Sequence, residues 1–557
     1  MKQAVFIALA LFLGARAFSQ EWMYSLELGP SDTIQRGYIE SYELNDGSVA
    51  LCGSLSYRSG VGDFYTSHPH IALLSENGEL LARKDFFRPG YWGSTLPYLF
   101  QDGNDDLYAL MSYSPDHDST YFNYFMNLEE PPADAIIGLY KLDGNLNPVE
   151  TYEHSYAIDT FENNTNQIWN YMPQEHSGSI YIYSAFVDGG NIVGVYSKTS
   201  TYCPLEPRDH DSIFFFRMDF QGNFLDHVGY ETFKSGISYH MLYRRHHMVK
   251  TETGYHYFVQ SNGGLVGYDA GSAKQGTVFY LDEHFNILDY KQFKHYNTIP
   301  NNQSGNTFYN IAVSRSHRNS TYLATSARSK DNPGRDEDCR LYEYDDSPGG
   351  PSTLPILNYV ERATPAWDTP GTIKAVEVAK DGTVYFAYTL NDGYTNNYDS
   401  WIMIERLTPD LETMDALYYD LGGENDGNHS SVFSITTLND GGVLAVISSH
   451  VIGSSAHGLR AIVKFPAKAF DGIDEAHANG LMMAIAYPNP GENTLNIRCG
   501  LQNAQVEVYD ALGRLMHEQA SANGVTAINA EGWPSGMYIW KVCLRGKTVE
   551  CGKWIKQ

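Results

Sequence analysis

Cysteine is scarce: six residues in 557, with no CxxC pair, which excludes a disulfide-stapled scaffold and a thiolate zinc site. Charge is sparse and one-sided. Only 19% of residues are charged, and 38 Lys and Arg stand against 66 Asp and Glu, a formal net charge of −28. Without a long basic run there is nothing to displace counterions from a phosphate backbone, so nucleic acid is excluded as a partner. No apolar stretch approaches the roughly 20 residues of a membrane-crossing helix, so no transmembrane segment is expected. The chain also lacks a G-x-S-x-G elbow, an H-E-x-x-H helix, a Walker loop and a dinucleotide fingerprint. Asp102-Gly103-Asn104-Asp105-Asp106 is acidic but lacks the spacing and distal Glu of an EF-hand, and reads as a solvated turn. No catalytic residue, cofactor or metal-ligand set is therefore nominated.

What the chain has in quantity is glycine (50), tyrosine (42) and phenylalanine (26). That balance favours strands and turns over solvated helices and is too apolar for disorder. At the N-terminus Lys2 precedes an apolar run over residues 4–13 and then Ala15-Arg16-Ala17. A charged start, a short apolar run and small residues at a cleavage point are the marks of a secretory signal peptide over 1–19.

Beyond it a short pattern recurs seven times, a turn dipeptide followed by an apolar or alternating strand. The dipeptides are Asp46-Gly47, Asp105-Asp106, Ser177-Gly178, Thr253-Gly254, Asn319-Ser320, Asp381-Gly382 and Asp440-Gly441. A strand precedes each copy, such as Tyr38-Ile39-Glu40-Ser41-Tyr42 or Ile373-Lys374-Ala375-Val376-Glu377-Val378, and a second hairpin follows most of them, as at Asn77-Gly78 and Gln221-Gly222-Asn223. Four strands per repeat make a propeller blade. The expected fold is all-β, a seven-bladed β-propeller-like domain over 20–470, a linker at 471–480 and a small β-sandwich over 481–557; six or eight blades, or a pair of sandwiches, stay open. The last repeat lacks a fourth strand before Pro466. The apolar segment at 22–28 is expected to supply it and close the ring.

After the linker come Tyr487-Pro488-Asn489-Pro490, Asp510-Ala511-Leu512-Gly513-Arg514 and Ser535-Gly536-Met537-Tyr538, ending in a basic terminus at 553–557. These elements, in this order, resemble the type A C-terminal sorting domain of the type IX secretion system of Bacteroidota. The resemblance implies that Asn489, Pro490, Gly513, Arg514, Gly536, Tyr538 and Lys556 belong to the sorting signal. It also implies that the type IX machinery is a partner, and that the protein passes through the periplasm to be secreted or held at the outer cell surface, with attachment to surface lipopolysaccharide as one outcome. Within the module Cys543 and Cys551 flank a turn at 545–547, where either a bridge or two thiols fits the sequence.

Candidate binding residues come from the segments that lead into the first strand of each blade. Trp92, Trp169 and Trp367 fall there, and aromatic faces stack on sugar rings or peptides as readily as they pack between blades. The densest ionisable cluster, His240-Met241-Leu242-Tyr243-Arg244-Arg245-His246-His247, shows no third metal ligand; His240 and His429 are taken with the tryptophans as candidates on one face. The expected function is a secreted or surface-held module binding glycan, peptide or protein. The alternative is an extracellular hydrolase or lyase acting on polysaccharide or peptide.

Overall fold

The structure is a computed structural model. It describes residues 22–26, 34–58, 65–88, 91–93, 96–115, 134–157, 179–199, 212–234, 246–261, 263–265, 275–293, 309–328, 337–345, 356–362, 369–370, 374–391, 400–419, 428–451, 460–470, 484–487, 491, 493–499, 504–521, 524–544 and 547–556.

Seven antiparallel sheets of four or five strands follow one another between Trp22 and Phe465. In each the chain runs outward through strands a, b, c and d. The inner strands, a, are Ile34–Glu43 in blade one, Tyr91–Gly93 with Tyr98–Gln101 in blade two, Ser179–Asp188 in blade three and His246–Thr251 in blade four. Blade five has Tyr309–Arg315, blade six Thr369–Pro370 with Val376–Val378, and blade seven Asn428–Thr437. Blade seven is completed from the other end of the chain. Trp22–Leu26 pairs antiparallel with Arg460–Phe465, Trp22 opposite Lys464, as its outer strand. The ring is closed as the sequence predicts, and the edge of the last sheet is covered.

The b and c strands are mostly apolar on both faces because each face meets a neighbouring blade, with Arg340, Glu343 and Glu405 among the buried charged exceptions. In blade one Ala50 and Cys52 pack toward blade two with Leu99, Ala109 and Tyr140, while Val49 and Leu51 pack toward blade seven with Leu444, Val446 and Ile462. Among the described residues there are seven such propeller clusters, one for each interface between neighbouring blades.

The hairpins share one geometry. At 44–48, 75–79, 102–106, 143–147, 219–223, 282–286, 379–383, 408–412 and 438–442 the first residue's carbonyl accepts the fourth residue's N–H, and its N–H returns to the fifth residue's carbonyl. The fourth residue has positive φ: Gly47, Gly78, Asp105, Leu146, Gly222, Phe285, Gly382, Leu411 and Gly441. This is a type I turn closed by a left-handed residue, which suits the twist of a hairpin. Where the first residue is Asp its carboxylate caps the turn, as Asp143 Oδ1 does for the N–H groups of Asn145 and Asn147.

One repeat is in a different register from the sequence reading. Ser179–Asp188, taken with Ser177-Gly178 as a second strand, is the inner strand of blade three; the hairpin lies at Gly189-Gly190 and the second strand is Asn191–Thr199. The error follows from composition, because an inner strand as apolar as Ile180-Tyr181-Ile182 looks like a b strand. Likewise the strand expected over 373–378 shortens to Val376–Val378, since Lys374 pairs sideways, in parallel, with Ser434 of blade seven.

The C-terminal module is a sandwich. A three-stranded sheet (Ala484–Tyr487, Thr494–Cys499, Gly524–Asn529) faces a four-stranded one ordered Leu515–Ala520, Ala504–Asp510, Gly536–Leu544, Lys547–Lys556. Leu495, Ile497 and Ile528 from the first close on Val506, Val508, Trp540 and Trp554 from the second. Cys543 stands opposite Thr548 and Cys551 opposite Lys541, so the hairpin does not set the two sulfur atoms across from one another.

Candidate functional site

The inner strands of blades six, seven and one meet at a charged cluster. Lys374 donates to Glu377 Oε1 at 2.6 Å, and the other carboxylate oxygen of Glu377 accepts the backbone N–H of Thr437 at 2.5 Å. Glu40, on the first inner strand, lies within the field of both Lys374 and Glu377. The backbones around this cluster are themselves tied. Ile435 N–H donates to Lys374 O, Ser434 Oγ donates to Ile39 O, and Ser41 Oγ donates to Thr436 Oγ1.

Local sequence explains the geometry. Register shifts place one extra residue, Ile39, between Tyr38 and Glu40 and another, Phe433, between Val432 and Ser434, so the inner strands bend and re-aim their side chains midway. Burial raises the Glu40 carboxyl above the usual carboxylate range, against the pull of the Lys374 ammonium and a hydrogen bond from Tyr42. Burial also works against a charged Lys374, but Glu377 and Glu40 together outweigh it and hold the ammonium protonated. Tyr42, Tyr98 and Cys52 complete the surroundings; burial, then in each the Glu40 charge, pushes all three upward, so none offers an anionic nucleophile near neutral pH.

Chemically this is one ammonium bonded to Glu377 within the field of Glu40, with the Thr437 N–H donating to the other Glu377 oxygen. Both Glu377 oxygens are engaged, so it does not supply the opposed acid and base of a glycosidase. It links blade six to blades seven and one beside the seam where the ring closes. Sequence reading passed over Glu40, Lys374 and Glu377; the available signal was a charged residue inside an otherwise apolar inner strand.

Of the residues expected to bind ligand, Trp169, His240 and Trp367 lie outside the described residues. Trp92 falls in the strand Tyr91–Gly93 opposite Ser114, which is buried and accepts the Ile180 N–H at 3.0 Å, and His429 falls opposite His450; the side chains of Trp92, His429 and His450 lie outside the described set. His256, read as a core histidine, is buried edge-on to Tyr280 with ring centroids 4.4 Å apart. Among the described residues no group of three His, Cys, Asp or Glu side chains is arranged to hold a metal ion.

In the sandwich the sorting-motif residues make internal bonds. Asp510 Oδ1 accepts the N–H groups of Leu512 and Arg514, Oδ2 accepts Arg514 Nε at 2.6 Å, and Gly513 takes the left-handed position of the turn. Tyr538 is buried and donates its hydroxyl to Pro534 O at 2.7 Å. Lys556, also buried, donates to Ala530 O at 2.5 Å. Gly536 opens the third strand of the larger sheet opposite Lys556. Asn489 and Pro490 lie outside the described residues.

The family of secretion system C-terminal sorting domains matches residues 485–557. These residues are a type IX sorting domain, and the chain is directed to the cell surface or secreted. No curated protein matches the chain. Solved structures similar to it include PorZ, a surface component of the type IX secretion system of Porphyromonas gingivalis, with 10% identity over 96% of this chain and 100% of that one and a TM-score of 0.28. A NanB sialidase from Streptococcus pneumoniae is 9% identical over 81% of this chain and 71% of its own, with a TM-score of 0.38. An α-L-arabinanase from Penicillium chrysogenum is 11% identical over 80% and 99%, with a TM-score of 0.34. No helix among the described residues is long and apolar enough to cross a membrane.

Proposed function

We propose that the propeller is a binding module for glycan, peptide or protein, delivered to the outside of the cell by its sorting domain. The observation that carries this reading is the unequal division of chain between the two ends of the ring. In an antiparallel meander the a–b and c–d hairpins share one end, and the b–c and d–a connections share the other. The hairpins are short, apart from the ten residues 346–355 between the c and d strands of blade five. The other connections take the chain's insertions, over 116–133, 158–178, 200–211, 235–245 and 294–308. A rigid scaffold that concentrates long connections at one end is built like a recognition surface. Trp169, His240 and Trp367 belong to d–a connections, Trp92 and His429 to the starts of inner strands, and we assign all five to that end. The propeller's acidity disfavours anionic polymers as ligands.

Residues 1–19 are proposed as the signal peptide and 471–480 as the linker. Screening the purified chain from residue 20 against glycan and peptide arrays tests the binding reading. Binding that is lost on Trp169→Ala or Trp367→Ala, with the melting temperature unchanged, supports it; turnover of a bound oligosaccharide or peptide would replace it with the hydrolase or lyase reading. Deleting residues 471–557 tests the division of the chain. The propeller is expected to remain folded and to accumulate in the periplasm, and misfolding of the truncated chain would refute independent domains.

A further inference from the structure

We infer that the sorting domain docks on its export receptor through the outer face of its four-stranded sheet, and that this receptor offers an apolar patch bordered by acidic groups. This rests on the sorting assignment and not on the binding reading of the propeller.

The motif residues Gly513, Arg514, Tyr538 and Lys556 are occupied in holding the sandwich together, so their side chains specify its shape and leave recognition to other groups. The outer face supplies those groups. Met537 lies directly opposite Ile555, and Tyr509 stands between Leu515 and Ile539 in the adjoining register. Leu515, Met537 and Ile555 are each more than 40% exposed, and Leu512, at the tip of the adjacent turn, is 81% exposed. Isolated exposed apolar residues need no explanation, but these share one sheet face.

Charge identifies the partner. Lys553 lies beside Ile555 and opposite Ile539 on the same face, and Lys541 sits over the Tyr509 ring at 5.0 Å. Glu507 lies opposite Lys541 and accepts the Tyr509 hydroxyl at 2.6 Å, so those two charges offset each other in the half of the face away from Met537 and Ile555, with Glu518 beside them, and Lys553 is the charge next to the apolar pair. Residues 481–557 carry seven Lys and Arg against six Asp and Glu, whereas residues 20–480 carry 29 against 60. An acidic border on the receptor would therefore attract the sorting domain and repel the bulk of its own cargo, discriminating between two parts of one chain.

The test is export of the full chain in its native host, with periplasmic and surface fractions compared by immunoblot and the fold checked by thermal melting. Met537→Thr with Ile555→Thr keeps strand-forming residues while removing the apolar contact. The surface fraction should fall at least tenfold with melting unchanged, and Met537→Asp with Ile555→Asp should do the same if it folds. Lys553→Glu should reduce display, and Lys553→Arg should leave it as it was. Normal display of the folded threonine pair would overturn the proposal, and normal display of Lys553→Glu would overturn its acidic partner. Loss of a dimer in the threonine pair, seen by sedimentation with export intact, would assign the face to a second copy of the chain instead.

Discussion

Trp22 Nε1 donates to the carbonyl oxygen of Glu76 at 2.7 Å, joining the outer strand of blade seven to the c–d turn of blade one. The same stitch recurs round the ring. Lys84 reaches Asn147, His154 reaches Gly222 O, Tyr230 donates to Phe285 O and Asn358 to Asp410 O, each from an outer strand to the next blade's c–d turn. Trp22 is thus the closing member of a repeated contact. Its ring also fills the space beside Gly78, where an added Cβ would come within 2.5 Å of it. Trp22→Ala should destabilise the propeller by about 3 kcal/mol. Gly78→Ala, strained by its φ of 81° as well as by the clash, should also lower the melting temperature. Unchanged denaturation midpoints in both would mean that the ring does not depend on this closure.

Phe285 occupies a left-handed turn position where glycine is favoured, yet its side chain is fully buried against Phe215 and Tyr255. Removing it relieves backbone strain of about 1–2 kcal/mol but forfeits burial of about 3–5 kcal/mol. Phe285→Gly should therefore be destabilising by about 2 kcal/mol in urea titration. A stabilised variant would show that strain outweighs packing at this turn.

Burial, then the Arg315 and Lys291 charges, lower the His256 imidazole to about 3. Above the ordinary histidine value of about 6.5 both folded and unfolded chains are neutral there. Below it the unfolded chain binds a proton that the folded chain refuses, so stability falls as pH drops from about 6.5 toward 3, with one extra proton taken up on unfolding. His256→Gln should flatten that part of the stability profile by one proton. An unaltered slope would place the titration elsewhere.

In the sorting domain the N–H of Arg514, then its guanidinium and the N–H of Leu512, hold the Asp510 carboxyl below its usual range. Asp510→Ala should remove this cap and lower the domain's melting temperature, and Arg514→Lys should retain most of it. Equal loss in the two variants would mean that the guanidinium, and not the backbone cap, sets the turn.

The outer strands of blades one to six each carry a bulge at their second residue: Leu81, Val149, Leu225, Leu288, Leu357 and Met414. All six side chains are exposed. A bulge blunts an edge that could otherwise pair with another chain. Leu225→Lys and Leu288→Lys should each change stability by less than about 0.5 kcal/mol. A larger loss would show that these side chains pack in the native state.

The sequence by itself determined the repeat, the closing strand and the sorting address, because each is written in local chemistry. Asp46-Gly47 and its counterparts mark turns whose backbone needs a left-handed residue, two-sided apolar strands mark blades buried on both faces, and Asp510 to Arg514 spells a capped turn. The third repeat escaped because Ile180-Tyr181-Ile182 is as apolar as a b strand, and the turn that sets the register, Gly189-Gly190, lies beyond it. Only the tertiary structure decided that Glu40, Lys374 and Glu377 share one charge cluster. Blade six reaches blade one across the seam only when the ring has closed, and a contact between residues more than 300 positions apart leaves no local period to read. The same holds for the sorting domain's outer face: alternation along each strand shows which side faces out, but the register between strands brings Met537, Ile555, Ile539 and Leu515 together.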